Sequence, residues 1–421
     1  MTVYLRPESI TETAFTRVRR KEIFTMINSM ILDLNKNGSA IRAMFEEGAK
    51  MAKEFGRENV YDYSLGNPSV VPPAEIRETL LDIIAHEDEN VLHGYMNNAG
   101  FEDVRTAIAE HLNKEFGTAF SAKNILMTVG AAGGLNVILK TLVNPGDEVI
   151  TFAPFFGEYR NYVRNVDGVL VTAATDPDTF MPVPEVLASV ITPKTKALII
   201  NTPNNPTGVV YPEEMIQKIA EVLCAKEKEY GTSIYMIADE PYRELVYDGV
   251  TVPYLTKYYH NTVVGYSYSK SLSLPGERIG YLVLPDELDD ADEIIPGATA
   301  ANRVLGFVNA PSLIQKAVGR CQDAKVDVEI YNRNRELLYG KLTEYGFSCI
   351  KPQGAFYLFV KAPDGDDKAF VAAAKKHRIL MVAGTGFGGP GYVRLAYCVS
   401  YDMIERSLPG FKALAEEYGL K

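Results

Sequence analysis

Tryptophan is absent from this 421-residue chain, and cysteine and histidine are scarce, at 4 and 5. Without tryptophan, a flat partner for an aromatic ligand must come from the 25 tyrosines or 18 phenylalanines. Cys224, Cys321, Cys349 and Cys398 are scattered, with no C-x-x-C spacing and no histidine partners. That pattern argues against a zinc or disulfide framework and for inert thiols in a reduced, cytoplasmic protein. The histidines show no ligand spacing, so no metal site is expected. Positive charge is short as well: 43 Lys+Arg against 54 Asp+Glu leave a net charge of -11. That balance favours solubility and argues against generic attraction to nucleic acid or an anionic membrane. No apolar run approaches the ~18 residues of a transmembrane helix. Arg19-Arg20-Lys21 is basic, but Glu22, Asn28 and Asp33 interrupt the stretch after it, so no secretory apolar region forms.

The length suits two or three domains of roughly 100–200 residues each. Hydrophobic residues at 47% and charged ones at 23% are ordinary for a globular chain with a large core. From Ile125 onward, short apolar runs alternate with helix-like stretches. Strands are expected at Ile125 to Val129, Glu148 to Phe152, Ala197 to Ile200, Ile234 to Ala238, Val263 to Tyr266 and Ile279 to Leu284. Helical spacing runs from Leu135 to Leu142 and from about Glu213 to Tyr230; Asn144-Pro145-Gly146-Asp147 is a turn. Near-continuous apolar strands between helices predict an α/β fold with a mostly parallel sheet covered on both faces. Ligands of such sheets bind beyond the strands' carboxyl ends. Gly130, Asn205, Asp239 and Ser267 all follow predicted strand ends, so one rim would gather them. After Pro311 a charged helical region runs to about Tyr345. Ala355 to Val360 and Tyr392 to Tyr397 then read as strands of a smaller sheet.

Lys270 stands among hydroxyls at Ser267 and Ser269, with a guanidinium eight residues later at Arg278. A lysine amine attacks aldehydes when a polar pocket and nearby cations hold its pKa down. Hydroxyls with arginine make a phosphate socket, so the pair suits a phosphorylated aldehyde such as pyridoxal phosphate. Upstream, Asn205-Pro206-Thr207-Gly208 and Asp239-Glu240-Pro241-Tyr242 offer groups to hold the cofactor's ring. Taken singly, Asp239 reads equally as a cap and the Asn205 segment as an ordinary turn. Their common order and gaps are harder to explain that way. In these motifs the chain resembles a class I/II aminotransferase, of pyridoxal phosphate fold type I in the aspartate aminotransferase superfamily. The likeness runs from about Gly66 to Arg394.

The resemblance implies a large cofactor-binding domain over about 65–310. A smaller α/β domain would be built from residues 1–64, including an N-terminal arm, and from 311–421. It implies a Schiff base between Lys270 and pyridoxal 5'-phosphate, and a ping-pong transfer between an L-amino acid and a 2-oxo acid. Lys270 would also move the proton at the substrate's alpha carbon. In Gly130-Ala131-Ala132-Gly133-Gly134, which joins a strand to a helix, the amides of Ala131 and Ala132 would face the phosphate. Asp239 would keep the ring nitrogen protonated, while Tyr242 and Asn205 reach the phenolic oxygen. Phe156 would stack on the ring. Arg394 would clamp the substrate carboxylate, with a structural salt bridge as the alternative, and the Gly66 backbone would touch substrate. Tyr95, in Tyr95-Met96-Asn97-Asn98-Ala99-Gly100, would reach the phosphate in a neighbouring subunit, making the enzyme a homodimer with shared sites.

Two rivals stand beside this reading. One is a fold type I lyase, such as cysteine conjugate beta-elimination, or other alpha-carbon chemistry on the same scaffold. The other is a cofactor-binding regulator, which the acidic balance and short N-terminal extension argue against. Gly384-Thr385-Gly386-Phe387-Gly388-Gly389 matches the G-x-G-x-x-G dinucleotide fingerprint literally. That fingerprint needs a helix directly after it, and Pro390 and Gly391 follow instead. Some relatives read a dicarboxylic side chain with a lysine where this chain has Ala132, so the donor stays open.

Overall fold

A computed structural model describes residues 27–36 and 40–420. The basic stretch Arg19-Arg20-Lys21 lies outside the described residues. The helix Ser29–Lys36 belongs to one unit, and all sheets belong to a second, from Ala40 onward. In chain order the strands begin with β1 (Tyr61–Asp62), β2 (Ile125–Thr128), β3 (Glu148–Ala153), β4 (Val169–Ala174), β5 (Thr195–Asn201) and β6 (Tyr235–Asp239). They continue with β7 (Thr262–Ser267), β8 (Gly280–Val283), β9 (Tyr357–Lys361), β10 (Ile379–Leu380), β11 (Val382–Ala383) and β12 (Tyr392–Ala396).

Seven strands form one sheet in the order β2-β8-β7-β6-β5-β3-β4. Every pairing is parallel except those of β8, which runs antiparallel to β2 and to β7. Side-chain alternation divides the strand residues between two cores. Leu198, Ile200, Met236 and Ala238 face one; Ala197, Ile199, Tyr235 and Ile237 face the other. Both faces are dry, which is why the strands read as unbroken apolar runs. The helices Glu213–Tyr230 and Ser312–Arg320 cover the first face, and Gly130–Leu142 and Ala291–Val304 the second. Local chemistry sets their ends: Glu213 and Glu214 favour the N-terminal dipole of one helix, and Gly231, at φ 67, closes it in the left-handed region.

Two expectations change. β4 is the sheet's edge, and of its residues only Ala173 is buried, so no apolar run marks it. The charged region after Pro311 is two helices, Ser312–Arg320 and Val328–Glu344, because the Asp327 side chain caps the second by accepting from Glu329 N–H.

A second, antiparallel sheet has the order β11-β12-β9, and β1 pairs with β10 in parallel. That pairing ties a segment before the large sheet to one after it. A third core, including Tyr63, Phe356, Leu358, Val393 and Phe411, packs around these strands. Among the described residues no helix is long and apolar enough to cross a membrane.

Candidate active site

The sheet register builds one rim. At the carboxyl ends of β5 and β6, Asn201 lies opposite Asp239, which in turn lies opposite Gly265 of β7. β7 then ends at Ser267, paired with Gly280 of β8. Because β8 runs the other way, its start returns to the same edge, which is how Arg278 comes to line the same cavity as Ser267. Gly280 also pairs with Thr128, placing the Gly130 turn beside them. A cavity of about 270 Å³ opens there. Every candidate site residue named from the sequence lines it except Gly130 and Tyr95.

Gly130 stands just behind the wall, at φ +68, where a Cβ would come within 2.8 Å of Arg278 Nη2. Glycine alone allows that approach at that φ. The helix Gly130–Leu142 starts here, so the amides of Ala131 and Ala132 belong to its first turn, whose N–H groups have no intrahelical acceptor. The Ser267 and Ser269 hydroxyls are 2.8 Å apart, and Ser269 N–H donates to Ser267 Oγ. Arg278 holds a left-handed backbone at φ 52, a strained state that persists at sites where its surroundings demand it.

At the cavity's centre Asp239 is buried. Its Oδ2 accepts a 2.5 Å hydrogen bond from Tyr159 OH, while Oδ1 is buried with no partner. Burial pushes this carboxyl up to about 6, against the lowering effect of the Tyr159 bond. Asn201 Nδ2 donates to Asp239 O at 2.8 Å, and its Oδ1 accepts from Asn205 N–H at 2.7 Å, so one amide ties the two motifs together. The hydroxyls of Tyr242 and Tyr357 lie 2.9 Å apart. Phe156 meets Tyr159 edge to face, with ring centroids 5.6 Å apart.

Lys270 Nζ donates to Gly66 O at 2.7 Å. Burial pulls its pKa down to about 8; the Arg394 and Arg278 cations push the same way, and Cys398 opposes them. Gly66 is crowded too, since a Cβ there would lie 2.1 Å from Tyr357 OH.

Arg394 is 1% exposed. Its Nη1 donates to Asn205 Oδ1 at 3.1 Å and its Nη2 to Ser64 O at 2.7 Å, between the rings of Tyr357 and Phe387. Nε is buried without a partner. Among the described residues no carboxylate pairs with it, so the structural salt bridge that would explain a buried arginine is missing.

Tyr95 does not join this cavity; it is 96% exposed. Gly384–Phe387 forms a short 3-10 turn and Gly388 a left-handed residue before β12, so the helix a dinucleotide fingerprint requires is not there. Glu227, His260 and Asp289 present ligand-type atoms within 4.8 Å of one another. Two of the three are exposed, and their carboxylates are engaged by Ile234 N–H, Asn261 and Ser233. Tyr159, Tyr162, Tyr357 and Asn201 line or brace the cavity without having been named from the sequence. Asn201 did carry a signal, as a polar residue closing an apolar strand.

A mostly parallel, helix-covered sheet with a lysine and a buried carboxylate at one rim agrees with the family likeness. The chain belongs to the aminotransferases of class I and II, matching that family over residues 58–409. Among named relatives it is similar to the aspartate/prephenate aminotransferase of Thermus thermophilus. The two are 31% identical over 369 residues, which cover 86% of this chain and 92% of that one. Its fold matches an amino transferase from Eubacterium rectale with a TM-score of 0.91 and 47% identity, over 93% of this chain and 99% of that one. It also matches Thermus thermophilus aspartate aminotransferase with maleate, at a TM-score of 0.79 and 27% identity, over 89% and 96%.

Proposed function

We propose that this aminotransferase uses pyridoxal phosphate, held by Lys270, to move an amino group between an L-amino acid and a 2-oxo acid by a ping-pong mechanism. The observation that carries the reading is the pair of buried polar atoms left unpartnered around one cavity, Asp239 Oδ1 and Arg394 Nε. Leaving such a group unpaired costs about 1–3 kcal/mol, more when it is charged, so each favours a ligand group that completes it. A pyridine N–H suits the first and an alpha-carboxylate the second. The Gly130 turn with Ser267, Ser269 and Arg278 has the donors and the space for a phosphate. The residues therefore fit the cofactor.

When bound, the cofactor supplies an electron sink that lets bonds at the substrate's alpha carbon break. Lys270 Nζ is the amine that holds it. With its pKa near 8, a useful share of that amine is neutral at physiological pH and can take and return the alpha proton. Asp239 Oδ1 holds the proton at the ring nitrogen. Tyr242 OH and the Asn205 amide donate to the ring's phenolic oxygen, and Phe156 covers one face. Arg394, with Nε unpartnered and each Nη nitrogen keeping one N–H beyond those given to Asn205 Oδ1 and Ser64 O, binds the substrate carboxylate beside the rings of Tyr357 and Phe387, with the Gly66 backbone alongside. We read the enzyme as a homodimer in which Tyr95 serves the neighbouring subunit's phosphate. We place domain divisions near 65 and 310, and the pairing of β1 with β10 supports a small domain that joins segments from before and after the large sheet. Four free cysteines support a reducing, cytoplasmic setting.

The test is a donor and acceptor panel followed by absorbance of the bound cofactor, with aspartate first because named relatives carry that donor in their names. An amino acid alone should change the spectrum, and a 2-oxo acid should restore it. Release of pyruvate and ammonia from a cysteine conjugate, with no need for an oxo acid, would replace the transfer reading by a lyase.

A further inference from the structure

Tyr159 is fully buried at the start of the helix Tyr159–Arg164, just after the turn that carries Phe156. Its side chain touches two groups assigned above to the cofactor's ring. The hydroxyl donates to Asp239 Oδ2, and the ring meets Phe156 edge to face. Its other side stacks on Phe155, with centroids 6.3 Å apart and planes within 8°. One tyrosine thus joins the residue at the ring's edge to the residue over its face.

Building on the pyridoxal phosphate reading, we propose that Tyr159 is a positioning residue that decides where the proton shared by Asp239 and the ring nitrogen resides. With Oδ2 committed to the phenol, Oδ1 is the single oxygen left to face the ring. A hydrogen bond donated to a carboxylate favours its ionised form, so the shared proton stays on nitrogen and the ring keeps its positive charge. Without that bond, Oδ2 becomes a second buried, unpartnered oxygen. The neutral acid is then favoured, and the proton moves from nitrogen to Oδ1.

The surroundings leave this task to Tyr159. The titratable groups facing Asp239 are Tyr159 and Tyr162 from the helix after β3, and Glu240 and Tyr242 from its own loop; Lys270 and Arg278 share the cavity. Among the described residues only Tyr159 reaches the carboxylate with a hydrogen bond. Burial and the Asp239 charge hold the Tyr159 phenol well above its usual pKa, so it remains an O–H donor through the working pH range.

Tyr159→Phe removes only the hydroxyl and keeps the packing on Phe155 and Phe156. The first measurement needs no cofactor: the pH titration of the Asp239 carboxylic acid band by infrared difference spectroscopy, with Asp239→Asn as the blank. The midpoint should rise by about one to two pH units in Tyr159→Phe, the worth of one hydrogen bond to a charged group. The second is the 15N shift of ring-labelled pyridoxal phosphate bound to each protein. Wild type should give a pyridinium signal and Tyr159→Phe one displaced toward neutral pyridine, while the same change made in Asp239→Asn should displace nothing further. An unchanged midpoint, or equal 15N shifts in wild type and Tyr159→Phe, overturns the role of Tyr159 alone. Failure of wild type to bind the cofactor at all overturns the function proposed above, and this inference with it.

Discussion

At the scale of single residues, Lys270 and Asp239 show the same cost from opposite sides: each is a charge that burial disfavours. For Lys270 the consequence is a usable amine. The rate at which the cofactor-free protein takes up pyridoxal phosphate should rise with pH to about 8 and then level off. An ordinary lysine would keep gaining toward ~10.4. Stopped-flow absorbance across pH 6–10 checks this, and Lys270→Ala should abolish the attached form while far-UV circular dichroism stays unchanged. For Asp239 the sign runs the other way. Its folded-state pKa, about 6, lies above the unfolded value near 3.9. The stability it contributes is therefore present in full below ~3.9 and lost as pH rises through 6. Asp239→Asn, which does not titrate, should leave the empty protein more stable than wild type at pH 8, by no more than ~3 kcal/mol at 1.36 kcal/mol per unit. The gap should close as pH falls from 6 toward 4, as read by chemical denaturation. The same variant, loaded with cofactor, should lose on the order of 10²–10³ in turnover.

At the scale of elements, the site is a property of strand ends. Reversing β8 brings Arg278 back to the rim where β7 leaves Ser267, and the β5–β6 register sets Asn201 against Asp239. The central strands and the chemistry-bearing residues are legible in the sequence because both are written locally: apolar runs between turns, and reactive side chains just past them. What is not legible depends on crossings in space. Tyr159 and Asp239 are 80 positions apart, and Tyr242 and Tyr357 are 115 apart; nothing local distinguishes Tyr159 or Tyr357 from the chain's other tyrosines. β4 is hidden for a different reason, since an edge strand keeps little of its surface dry. On β12, Arg394 sits opposite Phe359 of β9 and Val382 of β11, so the small sheet fixes its backbone from both sides. Arg394→Lys should accordingly keep the fold and the cofactor while weakening amino acid binding at least tenfold, because an ammonium keeps the charge but loses the planar fork. Separate titrations of cofactor and substrate decide it; equal losses in both would mean a structural role.

At the scale of the whole molecule, the question is what Tyr95 does at 96% exposure while the other candidate residues gather in one cavity. Val71, Leu81, Ile84 and Val91, in the segment leading to it, are also exposed apolar side chains, between 54% and 78%. Apolar surface of that kind is commonly covered by a partner. If a second copy covers it, Tyr95 would stand at the neighbour's phosphate socket, and each site would draw on both chains. Heterodimers pairing a Tyr95→Phe subunit with a Lys270→Ala subunit separate the possibilities. With sharing, the intact lysine meets the intact tyrosine in one site and both lesions fall in the other, so one fully competent site survives per dimer. Without sharing, the site with the intact lysine keeps its own Tyr95→Phe lesion. We expect activity per intact lysine equal to wild type, provided the Tyr95→Phe homodimer shows a measurable defect. Activity no higher than that homodimer would return Tyr95 to its own subunit's surface and leave each chain to work with the residues of its own cavity.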